Sequence, residues 1–134
     1  MKSKETILFS GRFDGVHLSH FLTIRDLSRE YDKVLVVVLD YPESYYPLSK
    51  RMHILETVFD NYSNIEIVSN TIHFGEIKEE DLGRFDFDVY GSGNEEVLKH
   101  IESLGWPCVY VPRTLETTAS DDVKYHKIKK ILEG

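Results

Sequence analysis

Basic residues are in short supply: 16 Lys and Arg stand against 23 Asp and Glu, a formal net charge of −7. That balance excludes a general nucleic-acid binder, whose surface has to be cationic to displace counterions from phosphates. It leaves room for a small anionic ligand, which needs only a local cluster of positive groups. Cysteine is nearly absent. Cys108 stands alone, so no intramolecular disulfide can form and a reducing compartment is expected, with Cys108 reading as plain core. No apolar run reaches membrane-spanning length. Met1-Lys2-Ser3-Lys4-Glu5 leads into a strand without a signal-peptide pattern, so a cytoplasmic protein with no membrane partner is expected. Internal repeats and low-complexity segments are also missing. What is left is 134 residues, 41% hydrophobic and 29% charged. That suits a single domain spanning 1–134, able to bury a core and too short for a second catalytic module.

The pattern along the chain alternates strand and helix. Thr6 to Ser10 is a short apolar strand, and from about Ser19 the pattern turns helical, with Leu22, Ile24 and Leu27 as a partial stripe ending near Glu30. Val34-Leu35-Val36-Val37-Val38-Leu39 is an unbroken run of branched and aliphatic residues, as a strand covered on both faces requires. Strand, helix and buried strand make a parallel β-α-β unit, so the turn after the first strand lies where open α/β sheets hold ligands.

After a tyrosine-bearing loop (Tyr41, Tyr45 and Tyr46), read as packing or interface with a substrate lid as the alternative, Ser49 can cap a helix whose inward residues are Met52, Leu55, Val58 and Phe59. Lys50 and Arg51 fall in its first turn, where cations oppose the helix dipole. A nearby anion is one reason for them, a solvated surface pair another. Strands follow at Asn64–Ser69, Asp88–Tyr90 and Cys108–Val111, with a short acidic helix near 76–82. A further helix is capped by Asn94 and stopped by Gly105, and a last one is capped by Ser120. The expected fold is therefore α/β: a doubly wound, Rossmann-like, five-stranded parallel sheet with helices on both faces.

The chemistry concentrates in the stretch Ile7-Leu8-Phe9-Ser10-Gly11-Arg12-Phe13-Asp14-Gly15-Val16-His17-Leu18-Ser19-His20, where an apolar strand joins a helix through a charged turn. Gly11 and Gly15 permit close approach of a ligand to the main chain. His17 and His20, three apart, share a face at the start of the helix, where free N–H groups and the helix dipole favour anions. A phosphate cradle, a plain solvated turn and half of a zinc site are all compatible with that spacing. His53, His73, His100 and His126 have no ligand spacing and read as structural or solvated.

Gly11-Arg12-Phe13-Asp14 with His17-Leu18-Ser19-His20 resembles the first signature of the nucleotidyltransferase superfamily, an aromatic residue and Asp followed by His-x-Gly-His. Pro112-Arg113-Thr114 resembles the Pro-Arg-Thr of the small cytidylyltransferases, typified by the glycerol-3-phosphate enzymes. That resemblance implies transfer of a nucleotidyl group, CMP from CTP, to a small phosphorylated acceptor such as glycerol-3-phosphate or another polyol phosphate. Pyrophosphate leaves and Mg²⁺ accompanies the triphosphate. It further implies His17, His20, Arg51 and Arg113 as catalytic groups. Gly11, Arg12, Phe13, Gly91, Thr114, Thr118 and Ser120 would bind nucleotide, Asp14 and Lys50 would bind the acceptor, and a homodimer is expected.

The chain departs from the family in having Ser19 in place of Gly, Ser92-Gly93 in place of an acidic pair, and Leu115 to Ser120 in place of Gly-Ile-Ser-Thr-Thr. Two other readings stand beside this one. Phe13-Asp14-Gly15-Val16-His17-Leu18 also resembles bacterial FAD synthetases, which implies an adenylyltransferase. The departures are compatible with a non-catalytic nucleotide sensor.

Overall fold

The computed structural model of the chain describes residues 3–13, 18–42, 44–71 and 77–112. Strand β1 (Ser3–Gly11) runs into helix α1 (Leu18–Glu30), strand β2 (Tyr31–Asp40), helix α2 (Leu48–Val58) and strand β3 (Ile65–Thr71). The short helix α3 (Glu79–Leu82), strand β4 (Val89–Ser92), helix α4 (Glu95–Ser103) and strand β5 (Cys108–Tyr110) complete it. The sheet order is β3-β2-β1-β4-β5 and every pairing is parallel. The order reverses direction between β1 and β4, which is the switch point of a doubly wound sheet.

Strand β2 shows why the core divides in two. Its six central residues, Val34 to Leu39, are all buried. Because successive side chains alternate faces, Val34, Val36 and Val38 join one cluster with Phe21, Leu22 and Ile24 of α1 and Ile54, Leu55 and Val58 of α2. Leu35, Val37 and Leu39 join the other, with Leu82 of α3 and Leu98 and Ile101 of α4. Each such side chain contributes about 1.5–3 kcal/mol on burial, which makes this strand the centre of the sandwich. Helices cover both faces, as expected.

Element boundaries differ in places. Helix α2 begins at Leu48 after Pro47, with no side-chain cap, so Ser49 lies inside the first turn. Proline already supplies the fixed φ for entry. Asn94 caps α4 as read from the sequence, its Oδ1 accepting from the N–H groups of Glu96 at 3.0 Å and Val97 at 3.4 Å. Gly105 follows with φ of +93°, a left-handed conformation that glycine adopts without penalty. The expected terminal helix capped by Ser120 lies outside the described residues.

Candidate functional site

A cleft of about 930 Å³ opens at the carboxyl ends of β1, β4 and β5. The β1 end contributes Phe9, Ser10, Gly11 and Phe13, and α1 contributes His20 and Thr23. Ser92 to Glu96 form the opposite wall, and Tyr110 and Val111 close the β5 side. The cleft thus sits across the switch point, where the diverging connections leave a crevice.

Three residues expected at the site meet here. Gly11 faces the ring of Phe13: a Cβ at Gly11 would lie 3.1 Å from Phe13 Cζ. The glycine therefore admits an aromatic ring, and it also lines the cleft. Phe13 is the one non-glycine residue with positive φ among those described, at +50°, a left-handed conformation uncommon for a bulky side chain. From that backbone its ring turns inward, and meets the His20 imidazole edge-on with centroids 5.4 Å apart. His20 is half-buried and lines the cleft.

The neighbouring groups do other work. The Arg12 guanidinium, expected at the nucleotide, is not part of the cleft lining and lies 4.1 Å from the centroid of the Tyr41 ring, a cation–π contact. Lys50 is half-buried, its ammonium 5.8 Å from the Tyr46 ring. Tyr45 packs edge-on against Tyr46 and is 80% exposed.

Arg51, read as a phosphate ligand, does not line the cleft. It is 0% exposed. Its Nε donates to the carbonyl of Tyr46 at 3.0 Å, its Nη1 to the carbonyls of Arg12 at 2.8 Å and Leu39 at 3.1 Å, and its Nη2 to the Asp40 carboxylate. The anion that explains a cation in this first helical turn is thus Asp40, and the side chain ties the motif turn to the end of β2.

Gly91 is likewise buried and absent from the lining. A Cβ there would stand 2.8 Å from Ile7 Cδ1 and 3.0 Å from Val111 Cγ2, so close strand packing requires the glycine. Asp14, His17, Arg113, Thr114, Thr118 and Ser120 lie outside the described residues, as does the side chain of Ser19.

Sequence reasoning missed Ser10, Thr23, Ser92, Glu95, Glu96 and Tyr110 as cleft residues. A serine ending an apolar strand was the available signal for Ser10. Its hydroxyl is hydrogen-bonded to that of Tyr90 within the fold. Burial pushes the Tyr90 phenol well above its ordinary range, against a smaller lowering by the Ser10 contact. Cys108 is half-buried, its thiol raised chiefly by burial and then by Glu102.

Sheet order and cleft position define a Rossmann-like, doubly wound domain. No family model matches the chain. Over 65 residues it is 34% identical to a phosphopantetheine adenylyltransferase of Natranaerobius thermophilus, a match covering 47% of this chain and 40% of that protein. A phosphopantetheine adenylyltransferase of Clostridium botulinum matches at 32% over the same length. The match therefore spans about two fifths of the length of these curated relatives.

Among solved structures, a NadR protein in complex with NAD and AMP-PNP superposes with a TM-score of 0.62 at 18% identity, over 99% of this chain and 43% of its own. A lipopolysaccharide core biosynthesis protein from Thermoplasma volcanium gives 0.59 at 16%, over 84% and 98%. The homologues and structural neighbours are members of the nucleotidyltransferase superfamily, the one that the Gly11 to His20 motif resembles. The relatives matched by sequence are named as adenylyltransferases.

Proposed function

We propose that the chain is a nucleotidyltransferase domain that binds a nucleoside triphosphate in the cleft at the β1–β4 switch point and transfers its nucleotidyl group to a small phosphorylated acceptor. The observation that carries this reading is the placement of His20, Phe13 and Gly11 on one cleft wall. An acceptor oxygen attacks the α-phosphorus, the bond to the bridging oxygen breaks, and pyrophosphate leaves. Such a reaction needs alignment and stabilisation of charge on the phosphoryl oxygens. The His20 imidazole, which packs edge-on against Phe13, would donate to a phosphate oxygen. By resemblance Arg12, His17 and Arg113 add positive charge, with Thr114, Thr118 and Ser120 contacting the nucleotide. Asp14 and Lys50 are assigned to the acceptor on the same ground. Arg51 acts by holding the turn.

Among the described residues no group of three His, Cys, Asp or Glu could hold a metal ion. The Mg²⁺ that the resemblance implies would accompany the triphosphate oxygens and screen their charge. A homodimer belongs to this proposal on resemblance alone, and a cytoplasmic setting on the reading of Cys108 and the amino-terminal pattern in the sequence. Among the described residues no helix is long and apolar enough to cross a membrane.

ATP is favoured as the donor, because the relatives matched by sequence are adenylyltransferases by name. Their named acceptor class, phosphopantetheine, is accordingly the first acceptor to try. CTP with a polyol phosphate is the second reading, favoured by Pro112-Arg113-Thr114. The two separate by thermal stability with Mg²⁺ and each of ATP, CTP, GTP and UTP, since a ligand bound only by the folded state raises the midpoint. A selective rise with ATP supports adenylyl transfer and one with CTP supports cytidylyl transfer. No rise with any triphosphate contradicts the proposal.

A further inference from the structure

The side chains of β1 alternate between the two core clusters: Ile7 and Phe9 enter one, Leu8 the other. Ser10 is next on the Leu8 face, and there its hydroxyl meets that of Tyr90 from the adjacent strand β4. Ser10 is 8% exposed and still lines the cleft. Tyr90 lies in the core, its ring 6.3 Å from that of Phe87.

Two hydroxyls that share one hydrogen bond leave one hydrogen over, and the surroundings decide which. No other hydrogen-bond partner of the phenol is found among the described residues. Were Ser10 the donor, the phenol hydrogen would be stranded in an apolar core, which is costly. Tyr90 therefore donates, Ser10 Oγ accepts, and the hydrogen of Ser10 is left for the cleft. Because burial keeps the phenol protonated well past neutrality, this direction holds across the working pH range.

We propose that Ser10 donates a hydrogen bond to a phosphate oxygen of the bound nucleoside triphosphate and that Tyr90 is the positioning residue that aims it. The proposal rests on the nucleotidyltransferase reading. The position of Ser10 supports a phosphate: it sits on β1 beside β4, at the switch point and one residue before the motif turn, and lines the same cleft as His20. A hydroxyl hydrogen with no acceptor among the described residues is best matched by a charged oxygen.

The test is a double-mutant cycle on triphosphate affinity, measured by calorimetry with Mg·ATP and Mg·CTP on the full chain. Thermal midpoints confirm that each variant folds. Ser10→Ala is expected to weaken binding roughly five- to tenfold. Tyr90→Phe leaves the Ser10 hydroxyl in place but free to rotate, and is expected to weaken binding roughly two- to fivefold. The double variant should bind like Ser10→Ala alone, because Tyr90 acts only through Ser10, and Ser10→Thr, which keeps the hydroxyl, should restore affinity. Unchanged affinity in Tyr90→Phe, or losses that add in the double variant, overturns the proposal while wild-type binding leaves the nucleotidyltransferase reading intact. Wild-type protein that binds no triphosphate overturns both.

Discussion

Phe13 holds the His20 imidazole edge-on at 5.4 Å between ring centroids, and does so from a backbone with φ of +50°. Such a conformation costs on the order of 1–3 kcal/mol for a non-glycine residue. It persists because the ring is 2% exposed, lying against the bare face of Gly11 and 6.2 Å from the ring of Phe9. Glycine, ring and imidazole form one mechanical unit on the cleft wall.

Gly11→Ala tests that unit. The added Cβ would press on the Phe13 ring at 3.1 Å, displacing it and releasing His20. The expected loss of stability is about 1–3 kcal/mol. Nucleotidyl transfer should fall in parallel, with the larger share in kcat, since an aligned transition-state donor is disturbed. Denaturant unfolding and steady-state kinetics check the two arms.

Arg51→Ala is expected to destabilise strongly. It leaves the carbonyls of Tyr46, Arg12 and Leu39 without their donor and Asp40 without its cation. Breaking one side of a buried pair costs about 3–5 kcal/mol. Asp40→Asn should cost less, about 1–3 kcal/mol, because Asp40 is partly exposed and the carbonyl contacts survive. Equal, small effects of both substitutions in urea unfolding would contradict the latch.

Alkaline stability should report on Tyr90. The folded phenol holds its proton above the ordinary value of 10.0, chiefly through burial. Below that value neither state is ionised, so stability is fully present. As pH rises past it the unfolded chain loses the proton first. Stability then falls by up to about 1.4 kcal/mol per pH unit until the folded group also ionises. Cys108 and Tyr31 are raised as well and add slope of the same sign. Tyr90→Phe should flatten the decline from about pH 10 upward relative to wild type; an identical slope there would contradict the assignment.

Local signals were legible where burial or a cap writes itself into residue type. The run Val34 to Leu39 has no polar alternation because both of its faces are covered, and Asn94 marks its helix because only a short acceptor satisfies the first N–H groups. Gly91 and Arg51 misled for a common reason. A glycine that admits a ligand and one that admits a ring or a strand look alike in sequence, and so do a guanidinium that meets a phosphate and one that meets Asp40. Glu95, Glu96 and Tyr110 reach the cleft only because β4 and β5 follow β1 in the sheet order, a long-range fact with no local signature. Ser10 and Tyr90 are 80 positions apart and pair for the same reason.

Pyrophosphate release is the most direct measure of the central claim. With Mg²⁺ and ATP or CTP, wild-type protein is expected to release pyrophosphate only when a phosphorylated acceptor is present, 4′-phosphopantetheine and polyol phosphates being the first tried. His20→Ala, still folded, should lower the rate on the order of a hundredfold or more. A rate unchanged in His20→Ala, or folded wild-type protein that releases no pyrophosphate with any triphosphate and acceptor, would contradict nucleotidyl transfer at this cleft.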